Sequence, residues 1–241
     1  MILHVAVTTA DRAPRTNYVG ATLRDLFRSS PMLDRRRLHL FVTAPETEWL
    51  DRNLAWSGLL PAREVCTLHV PKRRLTRNEN GLALLRGVPR CDWLLHLEDD
   101  VSFCDDFIGS VVRWLKRHAR PDRQLYSFCT FKGVAPAKRE AWDQPAKSYG
   151  AIAVAMRWAD SQSLAEWVRL HIGRWRLTMR QPWQVSGFDM MMREWASGPL
   201  LASNPSFAQH EGDESLTHAF RARPIMRSPY FAGRDWRYRD A

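Results

Sequence analysis

The chain has 241 residues, 45% of them hydrophobic and 26% charged, with 36 Lys and Arg set against 26 Asp and Glu for a formal net charge of +10. That length and apolar content support the core of one α/β domain, and 11 Trp exclude the aromatic-poor composition of a disordered chain. No window approaches the roughly 20 apolar residues of a membrane span. Cys66, Cys91, Cys104 and Cys129 form no C-x-x-C pair, which favours reduced core thiols in a cytoplasmic protein over a disulfide frame.

The opening "MILHVAVTTADR" has no basic leader before its apolar stretch and reads as a buried strand rather than a secretory signal. "NYVGATLRDLFRS" predicts a helix with Tyr18, Leu23, Leu26 and Phe27 near one face, and "RLHLFVTA" a second strand. A short helix over "TEWLDRNLAW", a strand over "EVCTLHV", a helix over "NENGLALLRGV" and a strand over "CDWLLHLE" follow. "DDFIGSVVRWLKRH" predicts a helix with Asp105 and Asp106 in its electropositive first turn and an apolar stripe of Phe107, Val111 and Leu115. Beyond it come strands over "QLYSFCTF" and "SYGAIAVAM", a helix over "ADSQSLAEWVRLHI", and a helix over "SGFDMMMREWAS" entered through Ser186 or Gly187. From residue 199 the chain reads as loop. This alternation points to a Rossmann-type, mostly parallel sheet flanked by helices, whose ligands gather at the carboxyl ends of the strands.

At one such end, "DWLLHLEDDV" delivers Glu98, Asp99 and Asp100 together. Adjacent carboxylates stay ionised cheaply only beside solvent or a cation. They therefore form either a solvated acidic turn or a site for Mg2+ or Mn2+, hard ions that neutralise a substrate diphosphate. Thr8, Thr9 and Arg12 stand at another carboxyl strand end, either as ordinary β-branched and solvated residues or as hydroxyls and a guanidinium that meet a nucleotide. In "RNENG", Asn78 or Asn80 caps the helix or hydrogen-bonds a base. His210, beside Glu211, Asp213 and Glu214, is an exposed loop residue or a metal ligand; Gly212 allows a tight turn, and Ser215 caps a helix or contacts phosphate. Asp189 is a helix-dipole acid or a general base, with Glu194 farther along the same helix as its substitute.

"LLHLEDDV" resembles the D-x-D-like acidic motif that follows a hydrophobic strand in metal-dependent nucleotide-sugar glycosyltransferases of the GT-A fold. "VAVTTADR" resembles their first strand and nucleotide-contacting loop, and "NPSFAQHEGDESL" their late Pro-x-x-x-x-His-x-Gly segment. The resemblance implies one GT-A-like domain, residues 1–100 mainly binding the nucleotide sugar and 101–241 mainly the acceptor. It places Thr8, Thr9 and Arg12 near the donor, most simply a UDP-sugar, and Asn80 joins them where it binds the base rather than caps the helix. It implies a Mn2+ or Mg2+ ion held by Asp100 and His210, with Glu98 or Asp99 helping. "WQVSGFDMMMREWA" resembles the region whose carboxylate takes the acceptor proton in inverting enzymes, which implies that role for Asp189.

Basic residues cluster in "DRRRL", "PKRRLTR", "RWLKRHARPDR", "GRWRLTMR" and "RDWRYRD", several interleaved with Trp or Tyr. Arginine beside aromatic rings offers both phosphate contacts and stacking surfaces. With no docking helix for a lipid surface in evidence, the expected acceptor is DNA carrying hydroxymethylated pyrimidines, because unmodified bases lack a hydroxyl nucleophile. A glycan or glycolipid acceptor is the alternative, and a non-catalytic nucleic-acid-binding module and a metal-dependent nuclease are the readings from other classes.

Overall fold

A computed structural model of the chain describes residues 1–12, 16–130, 140–144, 152–177, 187–212 and 227–239. β1 (Leu3–Thr9) is buried along nearly its whole length, as expected of a strand covered on both faces. α1 (Val19–Ser29) turns Val19, Leu23 and Leu26 inward at helical spacing. β2 (Leu38–Val42) is followed by α2 (Glu48–Trp56), the single turn α3 (Ala62–Val65) and β3 (Thr67–His69). α4 (Arg77–Gly87) begins at Thr76, whose hydroxyl accepts from Glu79 N while the Glu79 carboxylate accepts from Thr76 N. Next come β4 (Trp93–Glu98), β5 (Val101–Phe103), α5 (Phe107–His118), β6 (Tyr126–Ser127), β7 (Ala141–Gln144) and β8 (Ala153–Arg157). α6 (Trp158–Leu177), α7 (Phe188–Trp195), β9 (Leu200–Ser203) and β10 (Ala208–His210) complete the described elements.

The main sheet has the order β3-β2-β1-β4-β8-β6-β9-β7. Its first four strands are parallel, as are β6 and β9; β8 runs antiparallel between β4 and β6, and β7 runs antiparallel to β9. One face packs β1, β2 and β4 through Val5, Leu40 and Leu95 against residues of α1, α2 and α5. The other buries Ala6, Phe41, Leu94 and Met156 under α4, α6 and α7. A second sheet pairs β10 antiparallel to β5, with His210 opposite Val101.

The structure departs from the sequence expectations at several points. The "EVCTLHV" strand shrinks to β3 after a helical turn, and "QLYSFCTF" contributes two paired residues. β5, β7, β9 and β10 are three or four residues long, too short for alternation to show, so the stretch after 199 is not simply loop. Asp105 and Asp106 are not first-turn acids of α5. Asp106 is the N-cap, in the left-handed region at φ 48, and makes no capping bond. Its carboxylate instead accepts from Arg113 at 2.8 Å, while Asp105 pairs with Arg237. Among the described residues no helix is long and apolar enough to cross a membrane, and all four cysteines are free and buried.

Across β1, β2 and β3, His4 Nδ1 lies 2.8 Å from His39 Nε2, and His39 Nδ1 lies 3.1 Å from His69 Nε2. Burial, then the neighbouring rings, lowers His39 to about 4, and burial lowers His4 and His69 as well. The unfolded chain takes up protons near 6.5 at these rings, whereas the folded chain takes them up at lower pH, His39 only near 4. The ladder's contribution is therefore complete above pH 6.5 and is lost as pH falls towards 4. Thermal melts are expected to drop by roughly 5 °C between pH 7.5 and pH 5. In His39→Gln that drop should narrow; an equal drop in both proteins would remove the ladder as its cause.

Candidate active site

β1 and β4 lie side by side with Thr8 opposite Glu98, so their carboxyl ends deliver the hydroxyls and the acids to one edge. The chain then turns, and the triplet splits. Asp99 points to β1: its Oδ2 accepts from Thr9 Oγ1 at 2.5 Å and its Oδ1 accepts from Arg12 Nη2. Thr22 fixes the turn by donating to Asp99 O at 2.8 Å and accepting from Val101 N at 3.0 Å. Asp100 points towards His210, with Oδ2 lying 3.3 Å from His210 Nε2 and accepting from Arg12 Nη2 at 3.2 Å. The β10–β5 pairing brings His210 there, and Glu211 N donates to Asp100 O at 2.8 Å.

One ligand atom each from Glu98, Asp100 and His210 can be chosen so that all lie within 4.8 Å of one another. Glu98, not Asp99, is thus the member of the triplet that faces the same point as Asp100 and His210. Gly212 contributes through close approach, because a Cβ there would lie 2.3 Å from Asp100 Oδ2. Burial opposes ionisation of Asp100, but the His210 hydrogen bond and charge, helped by Arg12, hold its carboxyl below the usual range. Burial pulls His210 down, and the bond to Asp100 more than offsets it, leaving the imidazole above its ordinary value. Burial and then the charge of Asp100 push Glu98 up to about 7.

A cleft opens beside this cluster. Thr8, Thr9 and Arg12 line it from the end of β1, Asn80 from α4, Glu98 and Asp99 from the end of β4, and Asp189 from α7. Thr8, Thr9, Arg12, Asn80, Glu98, Asp99 and Asp189 therefore share one cleft, and Glu98 joins it to Asp100 and His210. Their orientations differ from expectation in two cases. Arg12 is buried with Nη2 on the two aspartates. Neither Asn78 nor Asn80 is the N-cap of α4, since Thr76 takes that position. Asn80 is a buried first-turn residue whose Nδ2 donates to Phe41 O at 3.3 Å, leaving its buried Oδ1 without a hydrogen-bond partner among the described residues.

Asp189 is half-buried in the first turn of α7, whose N-cap is Gly187. Burial raises its pKa against the opposing Met190 N–H and the charge of Arg77. A Cβ on Gly187 would lie 2.5 Å from Asp189 Oδ1, so the glycine leaves room for the carboxylate to fold back. Glu194 is exposed and does not line the cleft. Ser186, Asp213, Glu214 and Ser215 lie outside the described residues.

Sequence reasoning missed Thr43, His96 and Phe188, which also line the cleft, and it read Arg77, a fourth lining residue, only as part of a basic cluster. His96 was accessible, because period-two alternation along β4 puts it on the same face as Glu98. Phe188 was not, since its place depends on the absent side chain of Gly81, where a Cβ would lie 2.3 Å from the ring.

The basic clusters divide. Arg35–Arg37 directly precede β2, which runs parallel to β1, so they lie at the edge of the sheet opposite the cleft. The aromatic rings of two clusters face inward: Trp114 is fully buried, and Trp236 and Tyr238 pack on Phe207. They are core contacts rather than free stacking surfaces. Lys72, Arg73, Arg74 and Arg77, by contrast, are exposed between β3 and the start of α4, on the cleft side. The side chains of "GRWRLTMR" from Arg174 onward lie outside the described residues.

No protein-family model and no curated protein matches the chain. Solved structures do. TarS from S. aureus aligns over 88% of this chain and 37% of its own, with 10% identity and a TM-score of 0.52. The mannosyltransferase PcManGT from Pyrobaculum calidifontis, solved with GDP-Man and Mn2+, aligns over 70% of this chain and 46% of its own, with 19% identity and a TM-score of 0.46. The galactosyltransferase LgtC, solved with donor and acceptor sugar analogs, aligns over 83% of this chain and 73% of its own, with 13% identity and a TM-score of 0.47. This chain thus spans less than half the length of the first two. At such identities the likeness is one of architecture, and with the sheet order and flanking helices described above it shows that the chain has the α/β fold of GT-A glycosyltransferases.

Proposed function

We propose that the protein transfers a sugar from a nucleotide diphospho-sugar, a UDP-sugar in the simplest case, to an acceptor hydroxyl. The observation that carries this reading is the convergence of two carboxylates and an imidazole beside a cleft that also holds threonine hydroxyls and a half-buried aspartate. The donor set fits a divalent ion such as Mn2+ or Mg2+. Asp100 Oδ1 is buried without a hydrogen-bond partner among the described residues, as expected of an oxygen reserved for a ligand. A divalent ion bound by Glu98, Asp100 and His210 supplies positive charge against a diphosphate leaving group. Thr8, Thr9 and Asn80 line the space assigned to the donor. Asp189, with a pKa raised by burial, takes the acceptor proton, which makes the transfer inverting. In this scheme residues 1–100 contribute most of the donor side and the later half contributes Asp189, His210 and the acceptor side. Free, buried thiols support a reducing cytoplasm as its setting.

For the acceptor we carry forward hydroxymethylated pyrimidines in DNA, supported by the exposed basic run Lys72 to Arg77 beside the cleft. The inward-packed aromatics described above lend it nothing, and a glycan or glycolipid acceptor is the competing outcome. A panel of nucleotide sugars is screened for binding with Mn2+ and with chelator. Matched duplexes with and without base hydroxymethyl groups, and a panel of glycans, are then tested for added sugar mass. Metal-dependent binding of one donor and transfer only to the hydroxymethylated duplex are expected. Transfer only to glycans overturns the DNA acceptor, absence of any donor binding overturns the transferase, and cleavage of DNA with metal but no donor establishes a nuclease.

A further inference from the structure

Arg12, Asp99 and Asp100 are 8%, 4% and 5% exposed, so the acids at the tip of β4 are not a solvated turn. Removing carboxylates from water is costly unless a cation and hydrogen bonds replace the lost solvent. Part of that replacement comes from the chain itself. Arg12 Nη2 donates to Asp99 Oδ1 and to Asp100 Oδ2, the second at 3.2 Å. The arginine is held from outside the acids as well, with its backbone N donating to Asn17 Oδ1 at 2.8 Å and its guanidinium standing 5.2 Å from the centre of the Tyr18 ring. His210 Nε2 approaches the same Asp100 Oδ2 at 3.3 Å. One oxygen of Asp100 is thus shared by a fixed cation and an imidazole, while the other has no partner among the described residues.

A fixed positive charge against two acids lowers their need for an ion and repels one that approaches. We propose that Arg12 is a built-in cation that keeps the acidic tip folded without metal and weakens divalent binding until a diphosphate adds negative charge, so that metal and donor bind interdependently. This rests on the metal and donor reading above. Arg12 acts through the aspartates and is a positioning residue. Reciprocity requires that UDP tighten metal binding by the same factor by which metal tightens UDP binding.

The test measures Mn2+ binding to the full chain alone, with uridine, and with UDP, allowing for the Mn2+ that free UDP sequesters. In the wild type, Mn2+ is expected to bind about tenfold or more tighter with UDP than alone, and uridine is expected to leave it unchanged. Arg12→Gln, which removes the charge, should bind Mn2+ alone about tenfold tighter than the wild type, with a smaller additional gain from UDP. Arg12→Lys, which keeps the charge, should stay close to the wild type. A residue with a merely structural role would lose affinity when replaced, not gain it. If Arg12→Gln is unfolded in metal-free buffer, Mn2+ alone should refold it; a chain still unfolded at saturating Mn2+ overturns the proposal. Wild-type binding that depends on UDP, combined with Arg12→Gln binding Mn2+ no tighter, overturns the role of Arg12 and leaves the metal site standing. Failure of Mn2+ to bind the wild type even with UDP overturns both.

Discussion

Asp100→Ala is expected to lower Mn2+-dependent UDP-sugar binding by about 100-fold and transfer by at least as much, because it removes a charged ligand from a site of two carboxylates and one imidazole. His210→Ala should act in the same direction with a smaller effect, since a neutral ligand carries less of the charge that attracts the ion. The fold should survive both changes. Thr22 holds the turn through the backbone at Asp99 and Val101, and Arg12 keeps Asp99 as a partner when Asp100 is removed. Isothermal titration with UDP in Mn2+ and in chelator checks the binding, and circular dichroism checks the fold. Wild-type donor affinity and turnover in chelator for the double variant would exclude this cluster from the reaction.

The central strands were legible in the sequence because burial on both faces leaves near-continuous apolar runs such as "LHVAVTT" and "WLLHLE", ending where the polar residues of the site begin. Helices α1, α5 and α7 were legible for the complementary reason, since each pairs an apolar stripe with a polar face. The strands that complete the site were not legible. β5 and β10 are three residues each, and their pairing is specified by the meeting of segments more than 100 positions apart. That pairing is what sets His210 beside Asp100, and a local reading of "AQHEGD" contains no trace of it.

The division of labour within the triplet was equally hidden. Adjacent residues at the end of a strand leave it in different directions, and which acid faces β1 depends on the reach of Arg12 from a separate loop. Three adjacent acids therefore announced an electrostatic problem without showing that an arginine resolves part of it. The basic clusters misled for a related reason. Interleaved Arg and Trp look alike in sequence whether the ring faces solvent or the core, and Trp114 and Trp236 belong to the core side. Only the run from Lys72 to Arg77, among the described basic segments compared above, stands by the cleft with its charges outward.

Asp189→Asn should lower turnover by about 100-fold to 10,000-fold while donor binding in Mn2+ changes little. The amide keeps the size and planarity of the carboxylate, so the helix start at Gly187 and the packing of Phe188 against Gly81 are undisturbed. What it loses is the capacity to accept a proton from the attacking hydroxyl. Burial raises the pKa of Asp189, which makes the ionised form a stronger base than a solvated aspartate while requiring that it be ionised to work. Transfer should therefore rise with pH along a limb set above the ordinary aspartate value near 3.9, and that limb should be absent from the residual activity of Asp189→Asn. Glu194→Gln, altering an exposed carboxylate outside the cleft, serves as the control and should keep both the rate and the pH profile of the wild type. Unchanged turnover in Asp189→Asn, or transfer with retained anomeric configuration, would remove Asp189 from the role of base, and the metal cluster would stand without it.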